Sequence, residues 1–277
     1  MSNRRGRLLR TEIQGKATMA DEVVFEKQGR IAILTLNRPD RANTINHELS
    51  SLLQSLALEA ANDGDVRVLI VTGAGKHFCG GADLRSSSRQ PGATRPITPP
   101  GAGLGLDWVP KPVIAAINGA CMGGGCEIAL SCDFRYLSSV ANIGLTEIRF
   151  GALPAGGGTA RAPRLVGLSH AKRLIMVGEP VGADEAKRIG LVDEVCQPDE
   201  LMPKVTELAN VLASRAPYAM RTAKQILNRT LQIDLASALE LERSLISRMA
   251  TPEEMQEARQ EASERSATYA NIFAKPD

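Results

Sequence analysis

Two short apolar runs constrain the fold of this 277-residue chain most strongly. They are Val66–Thr72 and Val113–Ile117, and nearly every position in both is apolar. A strand with this pattern is expected to be buried on both faces, which is typical of parallel sheets covered by helices. The two runs therefore predict an α/β protein that is built around a largely parallel sheet.

The segments before the first run extend this prediction. Val23–Phe25 and Ile31–Leu36 lie on either side of a turn that contains Gly29, which indicates a hairpin. Apolar residues over 45–61 then follow helical spacing. The candidate caps of that helix are Asn43, Thr44 and Asn46. Hairpin, helix and buried strand in this order indicate a βαβ-like unit.

The second half of the chain is predicted to be mainly helical. Short strands at 133–137 and around Ile143 follow a helix over about 125–131. After Gly158 the spacing predicts only helices, at 159–166, 169–177, 183–189, 199–214, 217–228, 233–248 and 252–267. The last of them begins with Thr251-Pro252-Glu253-Glu254, a capping-box pattern.

Three parts are expected along the chain. Residues 1–18 carry a net charge of +4 and are expected to be a disordered extension without a secretory signal. Residues 19–200 are expected to form the α/β core, and residues 201–277 a helical region. Within the core, the Ser-, Pro- and Gly-rich segment 85–110 is predicted to be a long mobile loop of the kind that often serves function.

Charge and composition exclude several classes of function. Outside the basic extension the chain is slightly acidic, and aromatic residues make up only 3% of it, so a nucleic-acid-binding face is not expected. The longest apolar runs are too short to span a membrane. The five cysteines show no C-x-x-C spacing, which disfavours a zinc site and a disulfide framework and favours reduced thiols in the cytoplasm.

Two glycine clusters are the strongest candidates for a functional site. Gly80-Gly81 precedes Ala82-Asp83, and Gly123-Gly124-Gly125 opens the helix at 125–131. Glycine permits close approach, so either cluster could present bare backbone N–H groups to a ligand. For each cluster alone, ordinary turn glycines are an equally good interpretation. Neither cluster, nor the run 151–159, fits a dinucleotide or NTP motif.

Two glutamates accompany these glycines. Glu127 lies in the first turn of an otherwise apolar helix, where burial is expected to raise its pKa, although the helix dipole alone is enough to favour a carboxylate there. Glu147 precedes the glycine run at 151–158, and an ordinary loop carboxylate is the simpler interpretation of it. No metal site is expected, because the three histidines His47, His77 and His170 have no partner at metal-ligand spacing. The chain also lacks the G-x-S-x-G motif of serine hydrolases.

Five segments, in order, resemble the enoyl-CoA hydratase/isomerase (crotonase) family. They are Asn37-Arg38-Pro39 with Asn43, Val68–Leu84, Lys111–Asp133, Gly144–Thr159 and Gly182–Val195. The resemblance implies an α/β fold, a crotonase-like spiral of ββα units with a C-terminal helical trimerisation region. It implies homotrimers or hexamers made of two trimers, and an acyl-CoA substrate. No separate cofactor is implied, because coenzyme A is part of the substrate.

The resemblance also assigns roles to individual residues. The backbone N–H groups of Ala82 and Gly124 would form an oxyanion hole for the thioester carbonyl. Glu127 would position and deprotonate water for attack at Cβ, and Glu147 would deliver the proton to Cα. Because family isomerases typically rely on the Glu147 position alone, the presence of both glutamates favours hydration. Isomerisation, dehydration of a specialised acyl-CoA, or a non-catalytic scaffold associated with RNA remain alternatives.

Besides the oxyanion-hole residues and the two glutamates, a third set of residues is predicted to contact the CoA and acyl portions of the substrate. The predicted substrate- and CoA-binding residues are Arg41, Ala42, Gly81, Asp83, Leu84, Gly123 and Trp108. Arg41 is a candidate phosphate contact because a guanidinium can bind two phosphate oxygens, although a solvated loop arginine is almost as good an interpretation. Trp108, in the predicted loop, is the one large aromatic candidate for the acyl pocket. The C-terminal sequence departs from the Phe and Lys-Arg pattern common in the family, which leaves CoA contacts there open.

Overall fold

The computed structural model describes residues 22–85, 105–230, 232–256, 258–260 and 262–263. The predicted extension at 1–18 and most of the predicted loop at 85–110 lie outside the described residues, so those two predictions stay open. The end of the helix predicted at 252–267 also lies outside them.

The described residues include ten strands and seven α-helices whose bounds lie wholly among them, and further helical residues lie between 252 and 263. The strands are β1 (Val23–Gln28), β2 (Ile31–Leu36), β3 (Val68–Gly73), β4 (His77–Cys79), β5 (Val113–Ile117), β6 (Ala120–Met122), β7 (Phe134–Ser138), β8 (Asn142–Gly144), β9 (Val181–Gly182) and β10 (Glu194–Cys196). The helices are α1 (His47–Asn62), α2 (Gly124–Ser131), α3 (Gly158–Lys172), α4 (Ala183–Arg188), α5 (Leu201–Ala213), α6 (Pro217–Thr230) and α7 (Leu235–Ile246). Two 3-10 turns, Pro39–Arg41 and Glu147–Phe150, and a π-helical turn, Arg173–Val177, complete them.

The strands make two sheets. The larger sheet has the order β1-β2-β3-β5-β7-β10 and is parallel except for the β1–β2 hairpin. The smaller sheet has the order β4-β6-β8-β9, and only its β8–β9 pair is antiparallel. Three consecutive strand pairs, β3/β4, β5/β6 and β7/β8, place their first strand in the larger sheet and their second in the smaller one. The predicted parallel α/β architecture is therefore correct.

Both faces of the larger sheet are buried, as the apolar runs predict. In β2, Ala32, Leu34 and Leu36 face the core that contains α1 and α2, whereas Ile31 and Ile33 face a second core. Helix α5 covers that second core with residues spaced four apart, which lie on one face of a helix. These residues are Leu201, Val205, Ala209 and Ala213, and they are nearly inaccessible to solvent.

The local predictions are mostly confirmed. Helix α1 is present, and Asn46 is its cap: the side chain accepts a hydrogen bond from the Leu49 N–H. The capping box is also present, with Thr251 N donating to Glu254 and Glu254 N donating to the Thr251 hydroxyl. The prediction of only helices after Gly158 is wrong, because β9 and β10 interrupt them. Strands of two or three residues show no sequence periodicity and form only because a neighbouring strand pairs with them.

Helix α6 is attached to the core through a buried ion pair. Lys224 Nζ lies 2.6 Å from an oxygen of Asp133, at the junction of α2 and β7, and donates a hydrogen bond to the Lys111 carbonyl at 3.0 Å. Helix α7 buries only Ala238. Within the described residues, no helix combines the length and the apolar character needed to cross a membrane.

Candidate active site

The two glycine clusters meet at the N-terminus of α2. Gly81 has a φ of +94°, and a Cβ atom there would lie 2.9 Å from the Met122 carbonyl oxygen and 3.6 Å from the Gly124 nitrogen. A Cβ at Gly125 would lie 2.5 Å from the carbonyl oxygen of Cys79 in β4. Glycine is therefore required where the two backbones approach each other, and the alternative of ordinary turn glycines does not account for this contact.

Two backbone N–H groups at this junction have no acceptor among the described residues. Around Ala82, the Ile45 N–H donates to Gly81 and the Asp83 N–H donates to Ile45, so the chain forms a short bridge on either side of Ala82. No residue in the described part of the chain accepts from the Ala82 N–H or from that of Gly124. Gly124 is the first residue of α2, where N–H groups have no acceptor within the helix and carry the positive end of its dipole. Both groups are suited to an anionic or carbonyl oxygen.

Glu127 is held by the backbone that leads into α3. Its side chain is buried, with 3% of the residue exposed. Oε1 accepts hydrogen bonds from the N–H groups of Gly156, at 2.7 Å, and Gly158, at 2.8 Å. Gly158 is the first residue of α3, so the carboxylate also lies at the positive end of that helix dipole. Because both lone pairs of Oε1 are engaged by these donors, Oε2 is the oxygen of this carboxylate that is suited to receive a proton.

Glu147 is less constrained. It begins the 3-10 turn Glu147–Phe150 and is half-buried. Its Oε1 lies 3.3 Å from where a Cβ of Gly123 would stand, which places the carboxyl group beside the glycine triplet. Its Oε2 is buried and has no hydrogen-bond partner among the described residues. A buried polar atom without a partner is costly, so this oxygen marks a place where a ligand or water is expected.

The surroundings of Glu147 favour its protonated form. Burial raises the pKa of the Glu147 carboxyl above its ordinary value of 4.5. Its own backbone N–H opposes this with a smaller lowering effect, and the negative charge of Glu127 makes the smallest contribution, which raises the pKa. The site thus combines a carboxyl group that two backbone N–H groups orient with a second carboxyl group that retains its proton to higher pH. Such a pair suits the removal of one proton and the delivery of another.

Five of the predicted substrate- and CoA-binding residues lie on two adjoining segments, Arg41–Ala42 and Gly81–Leu84. The Gly80 N–H donates to the Ala42 carbonyl at 2.8 Å, which joins the Arg41–Ala42 segment to Gly81–Leu84. Arg41 is exposed and Leu84 is 66% exposed. The Asp83 carboxylate does not face an open pocket, because it forms an ion pair with Arg38 at 3.0 Å.

Buried Asn43 holds the first of these segments in place. It accepts from the Arg38 N–H and donates to the carbonyls of Ala74 and His77. Ala42 and Asn43 have φ angles of +49° and +55°, which few residues other than glycine and asparagine adopt. The Asn37-Arg38-Pro39 segment with Asn43 therefore shapes the loop.

Trp108 lies against α1. Its indole N–H lies within hydrogen-bond distance of Gln54 Oε1 and the Gly105 carbonyl, and its ring packs against the main core. The polar edge of the ring is thus occupied within the protein, and only its apolar surface remains for contact with a substrate.

Four cysteines surround α2 but do not suit nucleophilic catalysis. Cys79, Cys121, Cys126 and Cys132 are buried. Burial raises the pKa of Cys79 to about 12 and that of Cys132 to about 12. Thiols in this state are not nucleophilic at neutral pH. Among the described residues, no group of three or more His, Cys, Asp or Glu side chains is arranged to hold a metal ion.

Sequence reasoning missed the groups that hold Glu127. The N–H groups of Gly156 and Gly158 come from the run 151–159, whose lack of a lysine excludes a phosphate loop but does not predict a partner for a carboxylate. The glycine run ahead of a predicted helix was the available signal, since a helix N-terminus is a general site for carboxylates. Nothing in the sequence pointed to Glu127 as the carboxylate that binds there.

Comparisons with known proteins agree with this architecture and site. The family model for enoyl-CoA hydratase/isomerase matches residues 26–271. The chain is 40% identical over 242 residues to a short-chain-enoyl-CoA hydratase of Clostridium acetobutylicum, covering 86% of this chain and 93% of that protein. It is 36% identical over 237 residues to a 2,3-dehydroadipyl-CoA hydratase of Escherichia coli, covering 85% of this chain and 93% of that protein.

A solved structure gives the same result for the fold. The crystal structure of an enoyl-CoA hydratase from Bacillus anthracis matches with a TM-score of 0.74 at 35% identity, covering 82% of this chain and 90% of that one. The predicted crotonase-like α/β fold is confirmed, while the assembly of its C-terminal region stays a prediction. The residues that carried the resemblance, the fold and the matched sequences agree: this chain belongs to the enoyl-CoA hydratase/isomerase family.

Proposed function

We propose that this protein is an enoyl-CoA hydratase, a hydro-lyase that adds water across the 2,3 double bond of a 2-enoyl-CoA thioester. The observation that carries the proposal is the pair of Glu127 and Glu147 beside the glycine junction. Relatives named as hydratases of short-chain enoyl-CoA and of 2,3-dehydroadipyl-CoA support the same reaction. Because their acyl groups differ, the acyl specificity of this chain is left to experiment.

The geometry supports the following proposed course of the reaction. The thioester carbonyl oxygen accepts hydrogen bonds from the N–H groups of Ala82 and Gly124, which stabilise the enolate oxygen as charge develops on it. Glu127 takes a proton from water while the water oxygen forms a bond to Cβ. Electrons of the double bond move toward Cα and the carbonyl, and Glu147 gives its proton to Cα. Proton transfer from Glu127 to Glu147 by way of solvent then restores both groups.

The CoA portion is proposed to lie along the two adjoining segments beside this junction. Arg41 is exposed and suited to a phosphate, and the backbone from Gly81 to Leu84, with Gly123, borders the thioester. The Arg38–Asp83 ion pair fixes the second segment, so Asp83 contributes position rather than charge. Trp108 offers apolar ring surface to the acyl group. The proposed reaction uses no cofactor beyond the coenzyme A of the substrate.

The test is hydration of crotonyl-CoA and longer 2-enoyl-CoAs by Glu127→Gln and Glu147→Gln. Each variant is expected to lose about 100-fold or more in kcat, the usual contribution of general acid–base catalysis. Glu207→Gln, at an exposed position of α5, is the matched control and is expected to retain full activity. Loss of less than about tenfold in both site variants would contradict the mechanism.

A second experiment distinguishes hydration from double-bond isomerisation. The wild-type protein is incubated with 3-enoyl-CoA, which reports double-bond isomerisation, and the products are identified. Turnover of 3-enoyl-CoA without hydration of 2-enoyl-CoA would replace hydratase with isomerase. Absence of any acyl-CoA turnover together with salt-sensitive RNA binding would favour the scaffold alternative.

We also propose that the protein forms homotrimers or hexamers in the cytoplasm. Several large apolar side chains are exposed on the single chain: Phe150, Leu153, Met176, Leu235 and Ile246. A contiguous apolar patch is typical of an interface, and these side chains are the candidates for one in an assembly. The five free, buried cysteines suit a reducing compartment. Light scattering of the purified protein should give three or six times the 29.6 kDa chain mass, and a monomer would contradict the assembly.

A further inference from the structure

Arg161 connects the site to the segment that follows the undescribed part of the 85–110 loop. It lies in the first turn of α3, and its guanidinium uses two nitrogens in two directions. Nη1 donates to the Gly156 carbonyl at 2.9 Å, and Nη2 donates to Asp107 Oδ1 at 2.9 Å. Neither contact reaches the substrate region directly, so any effect on catalysis must act through Gly156.

The Gly156 carbonyl belongs to the peptide between the two that hold Glu127. The Gly156 N–H lies in the peptide before it and the Gly158 N–H in the peptide after it, and both donate to Glu127 Oε1. Arg161 therefore holds the middle peptide with its carbonyl oxygen toward the guanidinium while its two neighbours direct their N–H groups to the carboxylate. Rotation of the middle peptide would turn at least one of those N–H groups away.

The backbone is shaped around the guanidinium. A Cβ at Gly157, where φ is +113°, would lie 1.9 Å from Arg161 Nη1, and a Cβ at Gly105 would lie 2.5 Å from Nη2. The ion pair itself is partly exposed, with 22% of the Arg161 and 45% of the Asp107 side chain accessible. A pair with this exposure contributes little to folding stability. A closely fitted arginine with a weak stabilising role points to positioning.

We propose that Arg161, anchored by Asp107, is a positioning residue for Glu127. It keeps the Gly156–Gly158 backbone in the one arrangement that directs two N–H groups to Oε1, and so sets the orientation of the carboxylate toward water. This inference rests on the proposed function, in which Glu127 activates water. An error of about 1 Å in the placement of a reacting group can cost about 100-fold in rate.

The experiment compares Arg161→Met with Arg164→Met in 2-enoyl-CoA hydration. Arg164, on the same helix, is exposed and donates to the Ala160 carbonyl of its own helix, so it is a matched control. Arg161→Met is expected to lower kcat about 10- to 100-fold with KM changed less than about twofold. Arg161→Lys, which can still reach one carbonyl, should recover part of the loss, and Arg164→Met should be unchanged.

The decisive readout is the double variant with Glu127→Gln. If Arg161 acts through Glu127, adding Arg161→Met to Glu127→Gln lowers kcat by less than about twofold, because the group that it positions is already lost. Multiplicative losses in the double variant would overturn the inference. If Glu127→Gln is impaired and Arg161→Met is fully active, the inference alone fails. If Glu127→Gln is fully active, the proposed function fails as well.

Asp107→Asn is a second variant that tests the same inference if Arg161→Met does not fold. It keeps Arg161 and its contact with Gly156 but removes the charge that anchors the guanidinium. It is expected to lower kcat about three- to tenfold, again with little further loss in the Glu127→Gln background. An unchanged kcat in Asp107→Asn would contradict the anchoring role of Asp107.

Discussion

The two glutamates of the site differ in how the protein holds them. Glu127 is nearly inaccessible, and Oε1 accepts from two backbone N–H groups at the start of α3. Glu147 is half-buried on a short 3-10 turn, and its buried Oε2 has no partner among the described residues. Hydrogen bonds from N–H groups favour a carboxylate, whereas burial favours the neutral acid, and for Glu147 burial outweighs the one backbone N–H that opposes it. A glutamate side chain is therefore suited to receive a proton at position 127 and to donate one at position 147.

The largest expected effect comes from filling the space beside Glu127. In Gly156→Ala, the new Cβ would lie 2.6 Å from Oε2 and 3.0 Å from Cδ of Glu127, so the carboxylate must move. We expect kcat for hydration to fall about 100-fold, the effect of a displacement of about 1 Å. Steady-state kinetics with crotonyl-CoA checks this.

Gly151→Ala is the matched control from the Glu147 region. Its Cβ would meet no atom within 4 Å, but Gly151 has a φ of +67°. The variant is expected to lose about 1–2 kcal/mol of stability and to keep most of its activity. A loss of activity as large as that in Gly156→Ala would remove the distinction between the two regions.

A moderate effect is expected for Glu147→Gln, which should raise the free energy of unfolding at neutral pH. Because burial raises the pKa of Glu147 in the folded protein, its ionisation destabilises the fold as the pH rises from the ordinary value of 4.5 through the raised value. Glu147→Gln cannot ionise, so its free energy of unfolding at pH 7 should exceed that of the wild type. The advantage should vanish below pH 4.5, where the carboxyl is protonated in both states.

Urea denaturation of Glu147→Gln and wild type across this pH range measures the difference. Glu207→Gln, an exposed change of the same kind, should follow the wild type. A gain that persisted at acid pH would show that packing, rather than ionisation, separates the two proteins.

The smallest effect concerns the coupling between the two carboxyl groups. The charge of Glu127 is the lesser of the two causes that raise the pKa of Glu147, after burial. In Glu127→Gln the pKa of Glu147 should therefore fall but stay above its ordinary value. Since hydration requires protonated Glu147, the residual activity should decline at lower pH on the alkaline side than wild-type activity does. An unchanged alkaline limb in the pH dependence of kcat/KM would contradict this coupling.

Local structure could be predicted from sequence because its causes are local. The cap of α1 by Asn46 and the capping box at Thr251 involve residues three apart. Strands β3 and β5 were predicted from apolar composition alone. In contrast, β4, β6, β9 and β10 went unpredicted, since segments of two or three residues become strands only through pairing with distant segments.

The candidate site divides in the same way. Both glutamates and both glycine clusters could be identified from sequence, because each belongs to a short motif. Two contacts could not be identified from the sequence. One is the ion pair of Asp83 with Arg38, and the other is the hydrogen bond from Arg161 to the Gly156 carbonyl, beside the backbone that holds Glu127. Side-chain partners of this kind depend on the final path of the backbone.

The sequence by itself thus determined the α/β class, the family and the residue types that carry the chemistry, because periodicity and motif spacing are properties of the chain. Only the tertiary structure decided that the backbone orients the Glu127 carboxylate, and that Oε2 of Glu147 has no partner among the described residues. Glu127 meets Gly156 across 29 residues, and its two N–H partners converge on one oxygen only when α3 is packed against α2. Proton affinity at each site is set by that burial and hydrogen bonding, which exist only after folding.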